Sequence, residues 1–184
     1  MPSPIGHMMA GVAAGWLVAG PAGPAAAVRS GRAMGGARWR EAAVFATLGV
    51  LPDLDLLAGA HSGPTHGVGA AVVAGAAAAW LASVIGLRGV RPIVLALACS
   101  AAYGSHVLLD WLSTDASPPI GIMALWPFST GYYESDLHVF LAISRRYYQG
   151  WAFVRQNALA IGRELAILLP LLVAAFFYRS RRGG

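Results

Sequence analysis

The chain has 184 residues, of which 57% are hydrophobic and 11% are charged, and its mean hydropathy is +0.60. So apolar a composition excludes an intrinsically disordered chain, and the single cysteine, Cys99, excludes a disulfide scaffold. The net charge of +5 comes from arginines in separated groups, and no group combines with stacking aromatic residues in a recognisable RNA- or DNA-binding motif, so no binding of nucleic acid is expected. We expect a single-domain membrane protein over residues 1–184; a soluble, alanine-rich bundle is the alternative.

The segments predict an all-α fold, because none alternates in polarity as a half-buried strand does. An uncharged stretch at 67–87 is long enough to cross a bilayer of roughly 30 Å. Further apolar helices are predicted at 8–28, 41–60, 92–109 and 165–178. We expect a Gly/Arg loop at 29–40, an ordered loop at 113–138 and an interfacial amphipathic helix at 144–163, so that 143–184 holds that helix and a C-terminal apolar helix.

The arginine groups predict how this multi-helix bundle is oriented. If the groups at 29–40, 88–91 and 179–182 lie in the cytoplasm, as the positive-inside rule predicts, the apolar segments cross the membrane in alternating directions. Every candidate His and Asp ligand then falls at the outer end of its segment. The sequence therefore predicts a multi-pass membrane protein, with a polar site at one end of the bundle on the non-cytoplasmic side.

Two residues of the fourth apolar region have the spacing of a metal-ligand pair. His106 and Asp110 are four positions apart and share one helix face. An imidazole and a carboxylate stacked in this way can hold one divalent cation. A simple hydrogen bond between the two side chains on the helix surface is the alternative.

A second group of polar residues surrounds the end of segment 41–60. Asp53 and Asp55 follow a proline, so their carboxylates converge in a turn, although a pair that caps a helix N-terminus is the alternative. His61 and His66 bracket a Gly-Pro loop, in which Thr65 is expected to cap the helix at 67–87 and to place His66 in its first turn.

Together these residues favour a metal site over separate structural roles. Histidine and aspartate provide the nitrogen and oxygen ligands of zinc or of a mixed divalent site. More ligands are available than one tetrahedral ion needs, so one or two ions are expected, zinc before manganese, with a carboxylate bridging two ions about 3.5–4 Å apart. The candidate ligands are His7, Asp53, Asp55, His61, His66, His106 and Asp110.

The order of these motifs resembles a known family. The matching stretches are Gly6-His7, the LPDLD run at 51–55, the HSGPTH run at 61–66, the HVLLD run at 106–110 with Thr114 after it, and the WPFS run at 126–129. They resemble the inner-membrane-associated metal-dependent hydrolases of the LexA-binding YdjM type. The chain departs from the family pattern at Ser62, where Arg is expected, and at Gly67, where Ser is expected.

The same arrangement is distantly similar to the zinc-dependent phospholipase C and P1 nuclease superfamily. That resemblance implies phosphoester hydrolysis at a zinc cluster, with His7, Asp53 or Asp55, His66, His106 and Asp110 as ligands. Glu134 and His138 stand in the reverse of the order His-x-x-x-Glu that a third ion would need. We expect Asp55 to act as the general base that takes a proton from water, and His61 or Thr65 to position the leaving group.

The expected function is therefore hydrolysis of a phosphoester or another lipid-like substrate by metal-activated water at a membrane. A non-enzymatic membrane protein that binds or carries a metal is one alternative. Binding of a protein regulator through the cytoplasmic arginine segments is another, which the family name implies. Membrane lipid and a small-molecule or lipid-like substrate are the expected partners.

Overall fold

The computed structural model describes residues 1–21, 34–59, 62–87, 89–115 and 118–181. Five α-helices fill most of these ranges: α1 (Pro4–Ala19), α2 (Met34–Val50), α3 (Val68–Val84), α4 (Pro92–Trp111) and α5 (Trp151–Ser180). Short 3-10 helices occupy Leu51–Ala58, Pro64–His66 and Tyr147–Gln149. Only two isolated β-bridges occur in the described part of the chain, so the predicted all-α fold is confirmed.

Helices α1 and α4 form the centre of the bundle. Helix α4 packs against α1, α2 and α3, and α1 also contacts α2 and α5. The main core contains Trp16 of α1, Phe45 of α2 and Cys99 of α4, all of them buried. A second cluster joins Leu109 of α4 and Leu168 of α5 to Phe140, which holds the long segment after α4 against the bundle.

Glycines bring the helices unusually close together at two crossings. A Cβ on Gly11 would lie 2.5 Å from the carbonyl oxygen of Phe45, and one on Gly49 would collide with the carbonyl oxygen of His7. At the crossing of α3 and α4, a Cβ on Gly75 would collide with the carbonyl oxygen of Ala96. Close backbone approach at small residues is the usual basis of helix packing in membranes.

The N-terminus of α1 is capped by a residue that helix α5 anchors. The hydroxyl of Ser3 accepts a hydrogen bond from the backbone N–H of Gly6 (3.1 Å), and Pro4 starts the helix. Both the backbone N–H of Ser3 (2.7 Å) and its hydroxyl donate to the carboxylate of Glu164. The start of α1 is therefore held by a buried acid from a distant part of the sequence.

The two ends of the bundle differ in charge. At one end, Arg179 of α5 donates to both carboxylate oxygens of Glu41 in α2 (2.8–3.2 Å) and to the carbonyl oxygen of Gly20 (2.7 Å). Arg38 and Arg91 lie at the same end. Every acidic residue other than Glu41 lies toward the opposite end, where α1 begins and α4 stops.

Several predicted element boundaries are wrong. Helix α2 begins at Met34, so Arg38 and Arg40 are helical rather than part of a loop; the preceding residues, 29–33, lie outside the described residues. The helices predicted at 144–163 and 165–178 are one continuous helix, α5, with Pro170 inside it. Thr65 does not cap α3, because the N-cap is Gly67 and no side chain caps it.

Two of these helices are long and apolar enough to cross a membrane, namely α4 (Pro92–Trp111) and α5 (Trp151–Ser180). Much of the apolar surface of the bundle faces outward: Val72 and Trp80 of α3 and Phe177 of α5 are each more than 60% exposed. Large apolar patches of this kind are rare on proteins that are surrounded by water. The outer surface is therefore compatible with contact with lipid.

Candidate metal centre

Four parts of the chain bring a cluster of His and Asp side chains together at the acidic end of the bundle. His7 lies in the first turns of α1, Asp53 and Asp55 lie in the 3-10 helix Leu51–Ala58, and His66 ends the 3-10 helix Pro64–His66. His106 and Asp110 lie in the last turns of α4. The histidines and Asp110 are almost fully buried.

Four side-chain atoms converge at the centre of this cluster. His106 Nε2 is 3.1 Å from Asp110 Oδ2, and His66 Nε2 is 3.5 Å from the same oxygen. Asp53 Oδ1 lies 3.7 Å from His106 Nε2 and 3.8 Å from His66 Nε2. We call His66, His106, Asp53 and Asp110 the central quartet.

The central quartet fits a divalent metal ion in spacing. Ligand atoms that surround a tetrahedral zinc ion at about 2.0 Å lie roughly 3.3 Å from one another, which is within the range of the four nitrogen–oxygen separations in the quartet, 3.1–3.8 Å. Three of these separations are longer than an ordinary hydrogen bond, and the fourth, between His106 and Asp110, is of hydrogen-bond length.

Buried polar atoms without hydrogen-bond partners also favour a cation in this cluster. His106 Nε2, His7 Nδ1 and both carboxylate oxygens of Asp110 are buried and have no hydrogen-bond partner among the described residues. Buried polar atoms normally have such a partner, because leaving them without one costs about 1–3 kcal/mol. A cation between them would offset that cost.

His106 is oriented from behind by the backbone of α2. Its Nδ1 lies 2.8 Å from the carbonyl oxygen of Gly49 and donates a hydrogen bond to it. Because Nδ1 carries the proton of the neutral ring, Nε2 is left to act as a ligand. The ring also stacks on that of His7, with 3.8 Å between the ring centroids. The contact between Gly49 and α1 therefore sets the position of two histidines at once.

His7 extends the cluster on the other side of Asp110. Its Nε2 lies 3.4 Å from Asp110 Oδ1, whereas the central quartet uses Oδ2 of the same carboxylate. Two groups of ligand atoms result, His7 with His106 and Asp110, and Asp53 with His66 and His106. Asp110 contributes to both sides of the cluster, because its Oδ1 faces His7 and its Oδ2 faces His66 and His106.

Asp55 lies behind His66 rather than in the central quartet. Its Oδ2 is 3.2 Å from His66 Nδ1 and accepts a hydrogen bond from the hydroxyl of Thr65 (2.7 Å). The carbonyl oxygen of Thr65 in turn accepts a hydrogen bond from Tyr103 of α4 (2.8 Å). Thr65 and Asp55 thus hold the His66 ring from the side opposite the quartet.

Asp53 is the member of the quartet that reaches solvent. Its side chain is 25% exposed, and it lines a cavity of about 450 Å³ beside the cluster. Burial alone raises the pKa of this carboxyl, but the nearby imidazoles of His66, His106 and His7 outweigh it and lower the pKa below its ordinary value. Asp53 is therefore ionised at neutral pH and accessible from the cavity.

Some candidate residues lie elsewhere, and some contacts were not predicted. His61 lies outside the described residues. Glu134 and His138 are 3.8 Å apart at the surface and outside both groups of ligands. Sequence analysis did not single out Gly49 or Glu164. Glu164 carried a detectable signal, since it is a lone acid next to a strongly apolar segment, whereas nothing local to Gly49 indicates that its carbonyl binds a histidine.

Comparison with models of known protein families identifies the family of this chain. The family model for the YdjM inner membrane protein matches residues 1–182. The chain belongs to the YdjM inner membrane protein family. Membership confirms the family that the motifs resemble and makes the chain a membrane-associated protein, as the name of the YdjM family states. No curated protein and no solved structure matches the chain. The likeness to the phospholipase C and P1 nuclease superfamily stays a prediction.

Proposed function

We propose that this YdjM-family protein is a metal-dependent hydrolase of phosphoester or lipid-like substrates at the inner membrane. The observation that carries the proposal is the exposure of Asp53. A cluster of buried ligands that opens to a cavity through one of its members is typical of a catalytic metal site, whereas a structural site is closed to solvent.

We assign the central quartet as the main metal ligands and His7 as a further ligand. The donors are imidazole nitrogens and carboxylate oxygens with no thiolate, since Cys99 is buried in the core of the bundle. This donor set suits zinc and also manganese. His106 offers one free nitrogen to two groups of ligands, so a second ion would depend on His7 and on Asp110 as the bridging residue.

The remaining chemistry follows from where the side chains lie. When bound, a divalent ion supplies Lewis acidity, which acidifies water and polarises a phosphoryl oxygen. Asp53, ionised and facing the cavity, orients water by accepting its hydrogen bond. Because Asp55 contacts the far nitrogen of His66, we propose that it positions this ring instead of serving as the general base expected from sequence. The contact of Thr65 with Asp55 gives it the same supporting role.

Metal analysis tests the proposal directly. We expect protein purified without chelator to contain one or two equivalents of zinc or manganese by inductively coupled plasma mass spectrometry. Asp110→Asn and His66→Ala should each lose most of this metal, because they remove a buried ligand. The matched control is Asp136→Asn, an exposed acid at the same end of the bundle, which should keep the wild-type stoichiometry.

Activity and folding decide between the remaining alternatives. The wild type should hydrolyse a chromogenic phosphodiester, and Asp110→Asn should not, while both keep the same helical circular dichroism. Metal bound at full stoichiometry without turnover of phosphoesters would favour a non-enzymatic metal-binding protein. Folded wild-type protein with no metal would overturn the proposal.

A further inference from the structure

We propose that the substrate is an amphiphile with a phosphorylated head group, bound across two adjoining cavities beside the metal centre. Arg145 and Arg146 bind the phosphate in the first cavity, and a small apolar cavity next to it holds the start of an acyl chain. This inference rests on the proposed function and adds the substrate class and the residues that select it.

The first cavity combines the metal centre with two unpaired cations. It has a volume of about 450 Å³, and its lining includes Asp53 together with Arg145, Arg146, Gln149 and Gln156. Both arginines are exposed, and within the described ranges no carboxylate lies within ion-pair distance of either. Guanidinium groups recognise phosphate through paired, charge-assisted hydrogen bonds.

The acids in the same cavity limit which anions can enter. Asp53 and Asp115 both line it and repel a phosphate unless a divalent ion offsets their charge. Arg145, Arg146 and Met1 line the same cavity. A divalent ion in the metal centre would offset the charge of Asp53 and so favour phosphate beside these cations.

The second cavity is apolar and adjoins the first. Its volume is about 240 Å³, and its lining consists of Leu141, Ala152, Leu159, Arg155 and Gln156. Gln156 lines both cavities, so the two meet at this residue. A cavity with cationic side chains next to a smaller apolar cavity matches a molecule with a charged head and a hydrocarbon chain, and a free phosphate would leave the second cavity unused.

The cavities also open where the protein would meet the surface of a membrane. Tyr147, Tyr148 and Trp151 are each more than 70% exposed and directly follow the two arginines in the chain. Exposed Tyr and Trp side chains concentrate at the boundary between lipid and water. Trp151 begins α5, whose apolar side chains are mostly exposed beyond it. A phospholipid could therefore present its head group to the cavity while its chains remain in the bilayer.

Binding of two phosphonates tests the proposal without relying on turnover. The probes are methylphosphonate, which offers the head group alone, and a dihexanoyl phosphonolipid, in which a methylene replaces the scissile oxygen. Both are titrated by calorimetry into the metal-containing protein in dodecyl maltoside, a detergent without phosphate, with detergent alone as the blank. We expect the phosphonolipid to bind at least about tenfold more tightly than methylphosphonate.

Two variants with matched controls separate the two cavities. Arg145→Gln combined with Arg146→Gln should weaken binding of both probes by about tenfold or more, whereas Arg163→Gln, an exposed arginine of α5 outside both cavities, should not. Ala152→Phe fills the apolar cavity and should weaken only the phosphonolipid. Ala158→Phe places the same ring on an exposed part of α5 outside both cavities and should have no effect.

The outcomes distinguish this inference from the proposed function. Equal affinity for both probes, or unchanged phosphonolipid binding in the double arginine variant, would overturn the inference even if the wild type hydrolyses phosphoesters. Loss of phosphonolipid binding in that variant would support the inference even if the wild type hydrolyses nothing, and would then leave the protein as a binder of phosphorylated lipids.

Discussion

At the scale of single residues, the two inner histidines are each held from behind. His106 donates through Nδ1 to the carbonyl oxygen of Gly49, and His66 contacts Asp55 through the equivalent nitrogen. Such contacts fix the ring orientation and raise the basicity of the other nitrogen. The Nε2 atoms of both rings consequently face Asp110 within 3.5 Å.

Removal of the support behind His66 should weaken metal binding without abolishing it. Thr65→Val deletes the hydroxyl that donates to Asp55, and we expect metal affinity to fall by about 10–100-fold, as is usual when a group that orients a ligand is lost. Competition with a zinc-binding dye measures this. Thr47→Val, an exposed threonine of α2, is the control. Equal affinities for the two variants would show that Thr65 does not support His66.

A second residue-scale prediction concerns Glu164, which is 1% exposed. Glu164→Ala leaves the buried backbone N–H and hydroxyl of Ser3 without their acceptor, and it should cost about 1–3 kcal/mol of folding free energy. Chemical denaturation in detergent, followed by circular dichroism, measures the loss. Arg163→Ala alters the exposed neighbour and should stay within about 0.5 kcal/mol of the wild type. A similar loss in both variants would contradict the buried cap.

Glu164 also explains a motif that was noticed only as a sequence pattern. A Cβ at Gly6 would lie 2.6 Å from Glu164 Oε2, so the residue before His7 has to be small for the acid to reach Ser3. The Gly-His pair at the start of the chain therefore serves two purposes. Gly6 admits the carboxylate that anchors α1, and His7 enters the metal cluster.

At the scale of the elements, hydrophobic patterning located the helices but not all of their ends. The run 67–87 was predicted as a helix long enough to cross a bilayer. The helix formed there, α3, covers the 17 residues Val68–Val84 and is shorter than the two candidate membrane spans. Segment 144–178 was divided at the charged pair Arg163 and Glu164, yet it forms a single helix. Glu164 is satisfied by Ser3 from α1, a partner that no local pattern reveals.

The crossing of α1 and α2 is the element-scale feature that the metal centre depends on most. Gly49→Ala adds a methyl group against the carbonyl oxygen of His7, and it should separate the helices, lower stability by about 1–3 kcal/mol and reduce metal content. Stability is measured by denaturation and metal content by mass spectrometry.

The same helix offers a matched control. Gly36 lies in α2 with open space around the position of a Cβ, so Gly36→Ala should leave metal content unchanged and raise stability by up to about 1 kcal/mol. If Gly49→Ala and Gly36→Ala have the same metal content and the same free energy of unfolding, the metal centre does not require close contact at this crossing.

At the scale of the whole molecule, most acidic residues gather at one end of the bundle, where Arg145 and Arg146 also lie, and a second group of arginines occupies the other end. The described arginines at the end of α5 and the start of α2 lie opposite the acidic end that contains the metal cluster. Arginine-rich ends of membrane proteins stay in the cytoplasm. We therefore propose that the metal centre faces the non-cytoplasmic side, as the arginine pattern in the sequence predicts.

Labelling of single cysteines tests this orientation. In a Cys99→Ser background, Thr130→Cys reports on the acidic end and Arg181→Cys on the arginine-rich end, and both positions are exposed. A membrane-impermeant maleimide should label Thr130→Cys in intact cells and Arg181→Cys only in inverted membrane vesicles. The reverse pattern would place the metal centre in the cytoplasm, and labelling of both in intact cells would contradict a fixed orientation across the membrane.

The sequence by itself determined the helical class, the family and the residue types of the site. These properties depend on local information: the lengths of apolar runs, the four-residue spacing of His106 and Asp110, and the Asp pair after a proline. Tertiary structure decided the roles within the site. The distances between helices decide whether Asp53 or Asp55 joins the central quartet, and they also decide which histidine nitrogen is free. Glycine contacts, such as that of Gly49 against His7, set these distances only once the bundle is packed.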